Sequence, residues 1–359
     1  MARHGSAVRT LPRSGRLPLP PARGPLSDAL TTFLLSAGGE PRQEDLMRLA
    51  QRAHTVDVLR DEDVQLTLLL LYELHHEGID QVVDDLEWDL GLLWVRADLE
   101  MALQRSLQVL VHGRHGFGRG TRPEFLTGPA RVDAELVALA TARDATGLTA
   151  HLALDADLEQ FREFFVHHSL HHLVPFREVH SGDPRGTSGV STTRTTIDLG
   201  LDDAHGAYVS RLPATSLAAV NTATMFGLHR RDRGALAGHL AFSHLSSPSL
   251  GTAVGDGLRR LGLRGGATGS SAPETQPAQP GPDAGTGREL VASLLAAEPE
   301  LAADVVFGAR AGASLARLVA EEVLGAWSAG TSSLLPADHH DDAPDSHQVL
   351  RLVGRRPRG

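Results

Sequence analysis

The sequence predicts an all-α protein. Leu and Ala carry the apolar load while aromatic residues make up only 4% of the chain, a bias that favours helix over sheet. Apolar residues recur every three or four positions in almost every segment, the signature of a helix with one buried face. No two alternating stretches are joined by a hairpin turn. With 359 residues, 41% of them hydrophobic, the chain can bury a substantial core.

In chain order, residues 1–26 form an Arg/Pro-rich leader with five arginines and no acid, expected to be disordered. SDALTTFLLSAG reads as a short helix with Ser27 as N-cap. DEDVQLTLLLLYELHHEG opens on acids, which suit the positive end of a helix, and closes at Gly78. In LEWDLGLLWVRADLEMALQRSLQVLV, Leu92, Val95, Leu99, Leu103, Leu107 and Val111 step along one face. GRHGFGRGTR is a glycine-rich loop without the lysine of a phosphate-binding loop. Helices resume in DAELVALATARD and DADLEQFREFFVHHSLHHLV, the latter expected to stop before Pro175. After an aperiodic stretch, Pro213 opens PATSLAAVNTATMFGLHRR, followed by DRGALAGHLAFSHL and VGDGLRRLGL. Residues 265–288 lack Leu, Ile, Val and aromatics and read as a flexible linker. EPELAADVVFGARAGASLARLVAEEVLGAW is the last helix, with Leu318, Val319, Val323 and Trp327 inward, and 336–359 is an expected disordered tail. The domain thus spans 27–335.

Composition excludes several functions. There is no cysteine, so disulfides, thiolate zinc sites, iron–sulfur clusters and cysteine nucleophiles are ruled out, and any metal must be held by His, Asp, Glu or backbone oxygen. A net charge of −10 opposes general nucleic-acid binding. The apolar run LTLLLLYEL is far short of the roughly 20 residues of a membrane helix, and a cytoplasmic protein without membrane partners is expected. A homodimer is compatible with the sequence.

FREFFVHHSLHHLVPFREVH holds five of the nineteen histidines. On a helix, Glu163, His167 and His171 stand at i, i+4 and i+8 and rise along one strip. Carboxylate and imidazole so placed suit a transition metal. They equally suit polar groups on a half-buried helix, and His168 and His172 on the other strip show that histidine is not confined to one face. Further candidates are Glu73 and His75, Asp203 and His205, His229, His239 and His244. Arg230, Arg231 and Arg233 read as a solvated helix end, with a carboxylate-binding cluster as the sharper reading.

Several stretches resemble the iron-containing redox enzymes of the haem-oxygenase-like helical fold. They are DEDVQLTLLLLYELHHEGIDQVVDDLEWD, EQFREFFVHHS, LGLDDAHGAYVSRLPATSLAAVNTATMFGLHRRDRGALAGHL with GLRRLGL behind it, and EPELAADVVFGARAGASLARLVAEEVLGAWSAGTSSL, in the family's order. The resemblance implies a haem-oxygenase-like helical bundle. It also implies one or two non-haem iron ions bound by carboxylates and imidazoles, activating dioxygen against a small organic substrate. Glu163 and His167, then His171, are the residues expected to hold iron. The chain departs from the family in two places. It is shorter after His172, where the family continues into an acidic, glycine-ended helix, and residues 265–288 stand where the family carries HxxxDxxH ligands. These departures support an alternative expectation, a family member that keeps the scaffold, has lost the metal and acts as a binding or interaction protein.

Overall fold

A computed structural model describes residues 16–36, 43–76, 78–112, 129–142, 146–169, 198–202, 204–263 and 282–336. Its regular structure is helical: α1 Pro25–Leu35, α2 Gln43–Ala50, α3 Glu62–Glu73, α4 Leu90–His112, α5 Pro129–Ala142, α6 Leu148–Leu154, α7 Leu158–Ser169, α8 Ala214–Leu228, α9 Arg233–Arg260, α10 Pro282–Ala297 and α11 Ala302–Ser328. The one β feature among the described residues is an isolated parallel bridge between Leu17 and Ile79. The fold is all-α, as expected.

The long helices α9 and α11 form the spine, with α5, α6 and α10 against α9. Their close approach depends on missing side chains. A Cβ at Gly238 would run into the Val305 carbonyl oxygen, and one at Gly308 into that of Ala235. α3 packs between α1 and α8, with α2 and α4 alongside. Its ten residues from Val64 to Glu73 are all buried. That explains why LTLLLLYEL is so uniformly apolar: a helix surrounded by others needs no polar face.

Several boundaries differ from the expected ones. Helix α1 begins at Pro25, in the first-turn position that suits proline, and Ser27 is buried inside it rather than capping it. The carboxylate of Asp63 on α3 takes over, accepting from Leu26 N at 2.8 Å and Ser27 N at 2.6 Å. Residues 16–26, expected as leader, pack on the domain: Leu17 is fully buried, and Arg23 donates to Glu62, Leu212 O and Val209 O. Two specific anchors hold a stretch that lacks periodicity. Likewise α10 starts at Pro282, inside the expected linker, where Arg288 forms a two-pronged ion pair with Asp133 of α5 at 2.5–2.6 Å. The first fifteen residues and the tail from 337 lie outside the described residues.

Candidate functional site

Helix α7 opens on a capping box. Asp157 Oδ1 accepts from Gln160 N, and Gln160 Oε1 accepts from Asp157 N. Phe161 and Phe164 anchor α7 in a cluster with Leu152, Leu258, Val323 and Trp327. With that face fixed, Glu163 and His167 are carried together into the interior, 6% and 7% exposed.

What meets them is the end of α11. There, Thr331 N bonds Ala326 O and Gly330 N bonds Trp327 O, with Gly330 at φ 70°. This glycine-terminated cap reverses the chain and brings Ser332 and Ser333 back over α7. Glu163 Oε2 accepts from Trp327 Nε1 at 2.8 Å, Ser333 N at 2.9 Å and Ser333 Oγ at 2.6 Å. His167 Nε2 lies 2.9 Å from Ser333 Oγ, and its Nδ1 lies 2.8 Å from Ser216 Oγ on α8. Because the Ser333 proton goes to the carboxylate, completing the network assigns the imidazole proton to Nε2 and leaves Nδ1 to accept from Ser216.

The electrostatics follow from burial and these bonds. Burial alone would raise the Glu163 carboxyl, but the donors from Ser332, Ser333 and Trp327 outweigh it and hold the group below the ordinary carboxylate range. Burial, with a small contribution from His168 and against the pull of Glu163, pushes His167 down to about 3. At neutral pH the pair is an ionised carboxylate beside a neutral imidazole.

This is a poor place for iron. Both imidazole nitrogens are engaged within the chain, and the inward carboxylate oxygen already takes three donors. A metal could enter only by displacing buried hydrogen bonds, leaving Trp327 N–H and Ser333 N–H without acceptors. The residues do not fit the metal that the sequence assigned to Glu163 and His167. His171 lies outside the described residues.

The remaining candidates are dispersed. His75 stands edge-on to Trp88 and its pKa is lowered, chiefly by burial. His239 is buried edge-on to Phe226 and His244 is buried further along α9, while Asp203 lies outside the described residues. Arg233 forks onto Glu298, which supports the structural reading of the arginine cluster.

Sequence reasoning missed a buried group on α3 and α4. Glu100, 5% exposed, accepts from His229 Nε2 at 2.8 Å and lies 3.6 Å from Arg96. Burial and the neighbouring Glu100 raise the Tyr72 phenol well above its usual range. Beyond His229 itself, the sequence signal was Arg96 and Glu100 at i, i+4, a spacing common on solvated helices. Glu73, 1% exposed, faces His205 across 3.6 Å. Among the described residues, no three His, Asp or Glu side chains are gathered to hold a metal ion.

A family model of iron-containing redox enzymes matches residues 192–268, the stretch with His205, α8 and α9. Over that stretch the chain is similar to the iron-containing redox enzymes. No curated protein and no solved structure matches it. This match supports an iron-linked redox role in general terms. Among the described residues, no helix is long and apolar enough to cross a membrane.

Proposed function

We propose that this chain is an iron-dependent oxidoreductase that activates dioxygen at a non-haem site to oxidise a small organic substrate in the cytoplasm. The observation that carries the reading is the family match over 192–268, which spans two helices of the bundle and the turn that bears His205. Iron, when bound, supplies redox capacity and open positions for dioxygen. Glu163 and His167 serve the scaffold instead, fastening the segment after α11 onto α7 and α8. The test is anaerobic reconstitution of the untagged protein with ferrous iron, desalting, and counting of retained iron, followed by oxygen uptake. About one to two irons per chain are expected, as a non-haem mono- or di-iron site requires. Iron well below one per chain would overturn the proposal.

The closed network around Glu163 and His167 favours a second reading, a family member that keeps the scaffold and works by binding a partner without metal chemistry. That protein would show the same thermal midpoint with and without iron. It would also retain no iron after desalting.

A further inference from the structure

Three buried carboxylates, Asp98, Glu100 and Glu73, each face a partly exposed imidazole, and the three pairs are not alike. His54 Nε2 lies 2.9 Å from Asp98 Oδ1, and His229 Nε2 lies 2.8 Å from Glu100 Oε2. Both are ordinary hydrogen bonds. In the third, Glu73 Oε2 and His205 Nε2 stand 3.6 Å apart, too far for a hydrogen bond, and among the described residues neither atom has any other hydrogen-bond partner. Glu73 is 1% exposed and its side chain 2%. Leaving a carboxylate oxygen so deeply buried and unpaired is costly. Closing the gap would take a shift of under ~1 Å to the normal 2.7–2.9 Å of such a pair, yet it stands open.

We infer that Glu73 Oε2 and His205 Nε2 form a binding site for a divalent first-row transition metal ion, with water completing its coordination. An ion bonded to an imidazole nitrogen and a carboxylate oxygen sits at about 2.0–2.2 Å from each. Two such bonds span 3.6 Å when they meet at an angle of about 120°, within the range of tetrahedral and five-coordinate sites. The placement also suits a cation. Glu73 is the last residue of α3, where the helix presents its partial negative charge. His205 is held by a turn in which Gly206 adopts φ 69°. A Cβ at Gly206 would collide with Leu17, which is bridged to Ile79 just beyond α3, so the close seating of this turn depends on glycine. The inference rests on this pair's geometry and not on the redox reading, so each can fail alone.

Cobalt(II) is the probe, because it needs no reductant and its visible absorption reports the geometry of its site. Equilibrium dialysis of the full chain should show about one Co²⁺ with a visible band. Glu73→Gln and His205→Gln should each weaken binding at least tenfold. His54→Gln and His229→Gln, which open the two closed pairs, should leave it unchanged. Should a variant unfold by circular dichroism, the wild type still decides: Co²⁺ must raise its thermal midpoint in a concentration-dependent way. No bound Co²⁺ in the wild type, or binding that persists undiminished in folded Glu73→Gln and His205→Gln, would overturn the assignment. Iron retained by the wild type, together with no Co²⁺ binding that depends on Glu73 and His205, would remove this site while sparing the oxidoreductase proposal.

Discussion

Acid should weaken this protein through His167, and the size of the effect follows from its surroundings. The imidazole is enclosed between α7, α8 and the segment after α11, with Ser216 and Ser333 on its two nitrogens. Burial first, and His168 second, lower its pKa from 6.5 to about 3. Unfolded, the same group titrates near its ordinary value. Between these limits the unfolded state binds the proton and the folded state does not, so stability rises with pH. The contribution is fully present above pH 6.5 and is lost as pH falls toward about 3. At pH 5 the unfolded imidazole is about 97% protonated while the folded one stays neutral, a loss of about 2 kcal/mol relative to pH 7. Urea unfolding of wild type and His167→Gln at the two pH values isolates this one histidine, because all other titrating groups are shared. Wild type should lose about 2 kcal/mol more than the variant between pH 7 and pH 5. Equal losses would refute the reasoning, since they require His167 to be protonated inside the fold.

Other outcomes follow from the same physics. Glu163→Ala strips the acceptor from Trp327 Nε1, Ser333 N and Ser333 Oγ. It should destabilise by about 3–5 kcal/mol in chelator-treated protein, and a urea-unfolding loss below ~1 kcal/mol would sink the structural role. Asp63→Ala removes the carboxylate that accepts from the first turn of α1. Loss of about 1–2 kcal/mol is expected, with hydrogen exchange fastest in α1; exchange unchanged there would contradict the cap. Gly308→Ala gains about 1 kcal/mol of helix propensity but drives a methyl into the Ala235 carbonyl. A net loss of at least ~1–3 kcal/mol by thermal unfolding is expected, whereas stabilisation would mean that α9 and α11 do not cross there.

The sequence by itself determined that the chain is helical, because helical period and Leu/Ala composition are properties of neighbouring residues. It also placed Glu163 and His167 on one strip of one helix, and it set apart the stretch around Ala214–Leu228 and Arg233–Arg260 that the family model matches. Only the tertiary structure decided what those two side chains do. Their partners Ser216, Trp327 and Ser333 lie 49 to 170 residues away, and serine and tryptophan at such separations carry no periodic signal. The same holds for Asp63 capping α1 from another helix and for Arg23 holding an aperiodic stretch of chain against α3 and the segment just before α8. In the sequence, Glu73 and His205 are an acid and an imidazole 132 positions apart. Burial and a gap of 3.6 Å exist only once α3 and the turn at Gly206 have been packed together, because a metal or a hydrogen bond selects on distance in space and not on order along the chain.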